Sequence, residues 1–315
     1  MTTGEIHGPG ATIHPVRRIG TAVVKWLLGD VPVLEREPGS AALVAVVCTA
    51  AAVGWWLSER HALRGGPMVS ASWRMLVHGG LPLAVLGGWE LRLAWRAGRL
   101  KAGAALAAVA GILLLLMPIV MRASKEGAHT ITASPGERII LPVFIGAVLL
   151  LSGLRALGAR LADWGIGLGD WRWWLPHHGV LLLALLPIIA GVTCMVPALA
   201  HYYPMYKPAR TSFDALVMSH VALAVDLAGW EFLFRGFLLF GIARRGDAVL
   251  AMFLQALPFF LLHSPKPEIE MISSFFGAVL AARFCLRARS FLPLWVIHVS
   301  IITTVGFTAY WLRHR

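Results

Sequence analysis

The sequence predicts an all-α protein, a polytopic transmembrane helical bundle with eight or nine spans. Three observations carry that expectation. Hydrophobic residues make up 58% of the 315 residues and charged residues 14%, against about 25% charged in soluble domains. The mean hydropathy is +0.72. Windows poor in charge, each near the ~20 residues that a spanning helix needs, recur at 41–57, 76–91, 102–121, 139–157, 179–199, 213–229, 248–262, 271–286 and 291–312.

The elements follow in order. Residues 1–40 have no apolar core of signal-peptide length, and 21–28 is a short amphipathic piece carrying Lys25. This segment is expected to be uncleaved, cytoplasmic or interfacial. The first window ends near Trp55 and Trp56, whose amphipathic rings suit the headgroup level, followed by the Arg64-Gly-Gly-Pro67 break. Gly79, Gly80, Pro82, Gly87, Gly88 and Glu90 interrupt the second window, and the Ser134-Pro-Gly-Glu137 turn separates the third from the fourth. Trp171, Trp173 and Trp174 precede the fifth, where amphipathic rings suit the headgroup level. Tyr203-Pro-Met-Tyr-Lys-Pro208 is a loop. Residues 41–200 thus form a set of N-terminal helices, and 201–315 form a second set that holds the concentrated polar chemistry.

The net charge of +12 sits between the apolar spans, the pattern of the positive-inside rule and not of a nucleic-acid binder. Anionic lipid is the expected partner. The distribution of basic residues among the loops favours a cytoplasmic N-terminus. Cys48, Cys194 and Cys285 fall in separate spans without CxxC spacing and read as small buried residues.

Ionisable groups at membrane depth are costly, so they tend to be paired and kept for function. Within Trp230-Glu-Phe-Leu-Phe-Arg-Gly236, Glu231 and Arg235 are four apart, a helical step that brings carboxylate and guanidinium together. His263 closes Phe259-Phe-Leu-Leu-His263, and His298 closes Leu294-Trp-Val-Ile-His298. Groups from three spans can converge inside a bundle, and one carboxylate with two imidazoles can activate water and support an oxyanion. A structural ion pair, with two hydrogen-bonded core histidines, is the alternative. Asp226, a charge inside a span, is expected to face the site or a water-filled cavity. Glu268 and Glu270 read either as first-turn acids after Pro267, favourable to the helix dipole, or, for Glu270, as a further carboxylate of the site. Glu and two His can also hold zinc, although HExxH spacing is lacking.

In order and approximate spacing, Glu231-x-x-x-Arg235-Gly236, Phe259-x-x-x-His263 and His298 after Ser290-Phe-Leu-Pro-Leu-Trp resemble the three motifs of the CPBP intramembrane protease family, the CAAX protease and bacteriocin-processing proteins. Tyr203-Pro-x-Tyr-Lys-Pro208 and His263-x-x-Lys-Pro267 followed by Glu270 match a bacterial subgroup of it. The resemblance implies an integral protein of the bacterial inner membrane. It implies a glutamic-type endopeptidase that cleaves a membrane-associated protein or peptide without a cofactor. Glu231 and His263 would activate water, Arg235 would orient Glu231, and His298 would support the oxyanion. Two positions depart from the family pattern. Trp230 stands where the first of two adjacent glutamates is usual, and Ile302 stands where the third motif usually has Asn. Glu270 is the first candidate to replace the missing carboxylate. The rival expectations are a catalytically inactive membrane protein that binds or escorts a partner, a zinc-dependent protease, and a small transporter.

Overall fold

The computed structural model describes residues 38–63, 160–243, 248–263 and 266–315, together with residues 77, 81 and 85. All regular structure among them is helical: α1 (Pro38–Leu63), α2 (Trp171–Met195), α3 (Pro197–Tyr202), α4 (Phe213–Glu231), α5 (Ala248–Leu262), α6 (Glu268–Ala288) and α7 (Leu292–Arg313). α4 does not end where its window does. It passes directly into a π-helix, Phe232–Phe240, and a last turn, Gly241–Ala243.

Four of these helices are long and apolar enough to cross a membrane: Trp171–Met195, Phe213–Ala243, Glu268–Ala288 and Leu292–Arg313. Val44–Ser58 and Ala248–Leu262 are shorter apolar helices. Four candidate spans thus stand among the described residues; the expected eight or nine include windows that lie outside them. The windows at 102–121 and 139–157, and all but residues 77, 81 and 85 of the one at 76–91, lie outside the described residues.

α5 occupies the centre because it is apolar on every side, the pattern of a helix with no exposed face. Every residue from Ala248 to Leu261 is buried, and α1, α6 and the π-helix pack around it. The π-helix is equally enclosed. Gly236 allows this: a Cβ there would lie 2.5 Å from the Phe232 ring and 3.2 Å from the Trp164 carbonyl. The Trp164 indole stacks on Phe237 at 5.2 Å.

Residues 165–170 tie the far ends of α6 and α7 together. Asp170 N donates to Ala288 O at 2.8 Å, Phe291 N to Gly165 O at 3.1 Å, and Ser290 Oγ to Gly167 O at 2.6 Å. Gly169 has φ +55°, and a side chain there would strike the Ala288 carbonyl. Arg287 pairs with Asp170 at 2.9 Å, and its hydrogen bond holds that exposed carboxyl below the usual carboxylate range.

Two expectations change. Trp55 and Trp174 are buried, Trp174 donating to Leu168 O at 2.7 Å, so they are packing residues; Trp171 keeps an exposed position. Cys194 is exposed on α2, whereas Cys48 and Cys285 are buried, and all three are free thiols. The exposed apolar side chains of α2, such as Val180, Leu183 and Ile188, mark that helix as peripheral.

Candidate functional site

Glu231 is the last residue before α4 widens into the π-helix. Such widened turns occur often at functional sites. Four residues on, Arg235 places Nη1 3.2 Å from Glu231 Oε1, with both side chains buried. The guanidinium lies 4.1 Å from the Phe259 ring centre and 5.7 Å from that of Phe234, so two aromatic faces hold it.

α7 delivers His298. Pro293 sits at its start, and Trp295 Nε1 donates to Ala224 O of α4 at 2.8 Å, fixing the two helices against each other. One turn later His298 Nδ1 reaches Glu231 Oε1 at 2.7 Å. A carboxylate paired with a guanidinium only accepts, so Nδ1 carries the proton and Nε2 faces away from Glu231. Both donors thus converge on one oxygen of Glu231. Its other oxygen, Oε2, is buried and accepts no hydrogen bond among the described residues, and Arg235 Nε is likewise buried without an acceptor among them.

His263 stands at the end of α5. Its Nδ1 is 2.7 Å from Phe259 O, a group that can only accept, so Nδ1 is the donor and Nε2 has a free lone pair in the neutral ring. Nε2 lies 4.0 Å from Glu270 Oε1. Glu270 in turn receives Lys266 Nζ at 2.6 Å on Oε1 and the Tyr203 hydroxyl at 2.9 Å from both oxygens. Burial, with the negative charge of Glu270 beside it, holds the Tyr203 hydroxyl well above its usual pKa, so it remains a donor.

The predicted residues therefore fall into two groups. Glu231, Arg235 and His298 form one hydrogen-bonded set; Glu270, Lys266 and Tyr203 form another, with His263 Nε2 4.0 Å from Glu270 Oε1 and not hydrogen-bonded to it. His263 makes no hydrogen bond to Glu231. Phe259 is the seam between them: its ring lies 4.5 Å from that of His263, 5.9 Å from that of His298, and under the Arg235 guanidinium. Glu270 lies in the first turn of α6, where Glu268 points elsewhere, to Trp56 Nε1 at 2.6 Å and Arg60 Nε at 3.2 Å on α1. Asp226 is buried on α4. Trp230 is half-buried and stacks on Phe234 at 6.1 Å, and Ile302 packs in an apolar cluster with Leu199, Tyr203, Leu227, Val305 and Ala309. The roles of Tyr203, Lys266 and Phe259 were not drawn from the sequence. The first two stand within the subgroup motifs, which gave a signal of presence but not of contact.

Among the described residues, no three His, Cys, Asp or Glu side chains are grouped so as to hold a metal ion. Glu231 with His298, and His263 with Glu270, are pairs, and the remaining neighbours of each pair are cations, a hydroxyl and aromatic rings.

Among the described residues, wholly helical regular structure with four membrane-length helices defines the class, an integral membrane protein. Residues 212–303 match the family described as Rce1-like, type II CAAX prenyl endopeptidase Rce1-like. This is the family to which the three motifs pointed, a family of membrane proteases, and the matched stretch contains Glu231, Arg235, His263, Glu270 and His298. No curated protein and no solved structure matches the chain.

Proposed function

We propose that the protein is a metal-independent intramembrane endopeptidase that hydrolyses a peptide bond in a membrane-associated protein or peptide. The observation that carries this reading is the asymmetry of Glu231: Oε1 is saturated by Arg235 and His298, while the buried Oε2 has no donor among the described residues. Oε2 takes a proton from water, and the resulting hydroxide attacks the scissile carbonyl carbon. His298, in its imidazolium form, donates from Nδ1 to Glu231 and from Nε2 to the oxyanion. Collapse of the tetrahedral intermediate breaks the C–N bond, and the leaving amine takes the proton that Glu231 Oε2 received from the water, which returns Glu231 to its carboxylate form; His263 and Glu270 stand beside it as a second acid–base pair. Arg235 holds Glu231 in place and counters the cost of its burial.

In this reading the protein lies in a bacterial inner membrane with a cytoplasmic N-terminus and basic loops against anionic lipid. Comparison of membrane-protein N-termini in cells with the wild-type chain and with Glu231→Gln tests it. New termini that require Glu231 are expected, and identical sets of termini would contradict it.

A second reading, a non-catalytic escort of membrane proteins, is favoured by Trp230 and Ile302. Both turn positions that are polar in the family motifs into apolar packing. Under that reading no new termini arise, and Glu231→Gln still co-purifies with the partner of the wild type.

A further inference from the structure

We propose that Tyr203 is a positioning residue for the site, fixing the Glu270 carboxylate against His263 from a loop that lies outside the family-matched residues 212–303. The inference rests on the proposed protease reading. Its first support is contact geometry: the Tyr203 hydroxyl bisects the Glu270 carboxylate at 2.9 Å from each oxygen. With Lys266 on Oε1 and the hydroxyl across both oxygens, the carboxylate is held by two donors at once.

The second support is the way Tyr203 itself is held. Its side chain is 2% exposed, wedged against Leu199, Leu227, Ile302 and Val305. The carbonyls around it are gripped from two directions. Arg313 of α7 donates to the carbonyls of Ala200, His201 and Tyr203, and Arg210 donates to those of Tyr202 and Pro204 at 3.1 and 2.9 Å. Five consecutive carbonyls thus receive guanidinium donors. Held in this way, the Tyr203 ring brings its hydroxyl to Glu270. Arg313 belongs to the helix that carries His298, so α7 anchors both halves of the site. Among the described residues, the other titratable groups facing Glu270 are Lys266 and His263, and Glu268 is engaged by Trp56 and Arg60.

The test is a double-mutant cycle on the full chain in proteoliposomes, with a fluorogenic peptide carrying a lipid anchor as the probe and melting curves on every variant. Tyr203→Phe keeps the ring and its packing and removes the hydroxyl. It is expected to lower kcat about tenfold, the scale of one hydrogen bond to a charged group, with KM nearly unchanged. In a Glu270→Gln background the same change is expected to cost nothing further. Glu270→Asp, which withdraws the carboxylate from the hydroxyl, is expected to reproduce the loss and to make Tyr203→Phe silent, and it serves should Tyr203→Phe alone fail to fold. A normal kcat for Tyr203→Phe, or an equal loss with and without Glu270, overturns the proposal. If Tyr203→Phe is fully active while Glu231→Gln is dead, positioning alone fails; if Glu231→Gln cleaves the probe as well as wild type, the protease reading fails with it.

Discussion

His298 Nδ1 lies 2.7 Å from Glu231 Oε1, joining residues 67 apart in sequence across α4 and α7. The Trp295–Ala224 hydrogen bond of 2.8 Å one turn before fixes the distance at which they meet. A carboxylate so held is oriented before any substrate arrives, which lowers the reorganisation that catalysis would otherwise require.

Removing one partner of the buried Glu231–Arg235 pair leaves a charge without compensation. Arg235→Met is expected to cost about 3 to 5 kcal/mol of stability. Glu231→Gln combined with Arg235→Met is expected to regain most of it. Unfolding titrations in detergent check both, and a mild effect of Arg235→Met alone would show that the pair is not the support described.

Gly236 lets the π-helix approach the Trp164 carbonyl, since a Cβ there meets Phe232 at 2.5 Å. Gly236→Ala is expected to destabilise by about 1 to 3 kcal/mol, the range for overpacking. An unchanged melting temperature would mean that Phe232 yields freely.

Asp170 is held below the usual carboxylate range by its hydrogen bond from Arg287. A depressed carboxyl contributes stability above its unfolded pKa, about 3.9, and that contribution disappears as pH falls through the lower folded value. Asp170→Asn is therefore expected to reduce the acid-side fall in melting temperature while lowering stability at neutral pH. Parallel pH profiles for the variant and wild type would contradict this.

Chelation is expected to leave cleavage unaffected, because among the described residues no three His, Cys, Asp or Glu side chains are grouped as a metal site requires. Inactivation by a strong chelator, reversed by added zinc, would reassign these side chains as ligands.

The helical class and the course of α5, α6 and α7 were legible because each is a continuous apolar run between turn signals. α5 matches its window, 248–262, at both ends. The extent of α4 was not legible: Glu231 and Arg235 close a hydropathy window at 229, while the chain continues helically to Ala243 through nine π-helical residues that no helical periodicity signals. The Glu231–Arg235 contact follows from a four-residue step and was visible. The bond from Tyr203 to Glu270 spans 67 residues and a loop interrupted by Pro265 and Pro267, so spacing carries no information about it. Cys194 and Trp55 show the same limit, since apolar sequence does not distinguish a lipid-facing side from a protein core.

The central claim, that Glu231 Oε2 activates water, is tested most directly by measuring cleavage of a lipid-anchored fluorogenic peptide by wild type and Glu231→Gln, each reconstituted in proteoliposomes with its melting curve recorded. The amide keeps the shape but cannot take the proton, so cleavage is expected to fall at least about 10²-fold in a protein that still folds. A folded Glu231→Gln variant that cleaves at the wild-type rate would contradict the claim.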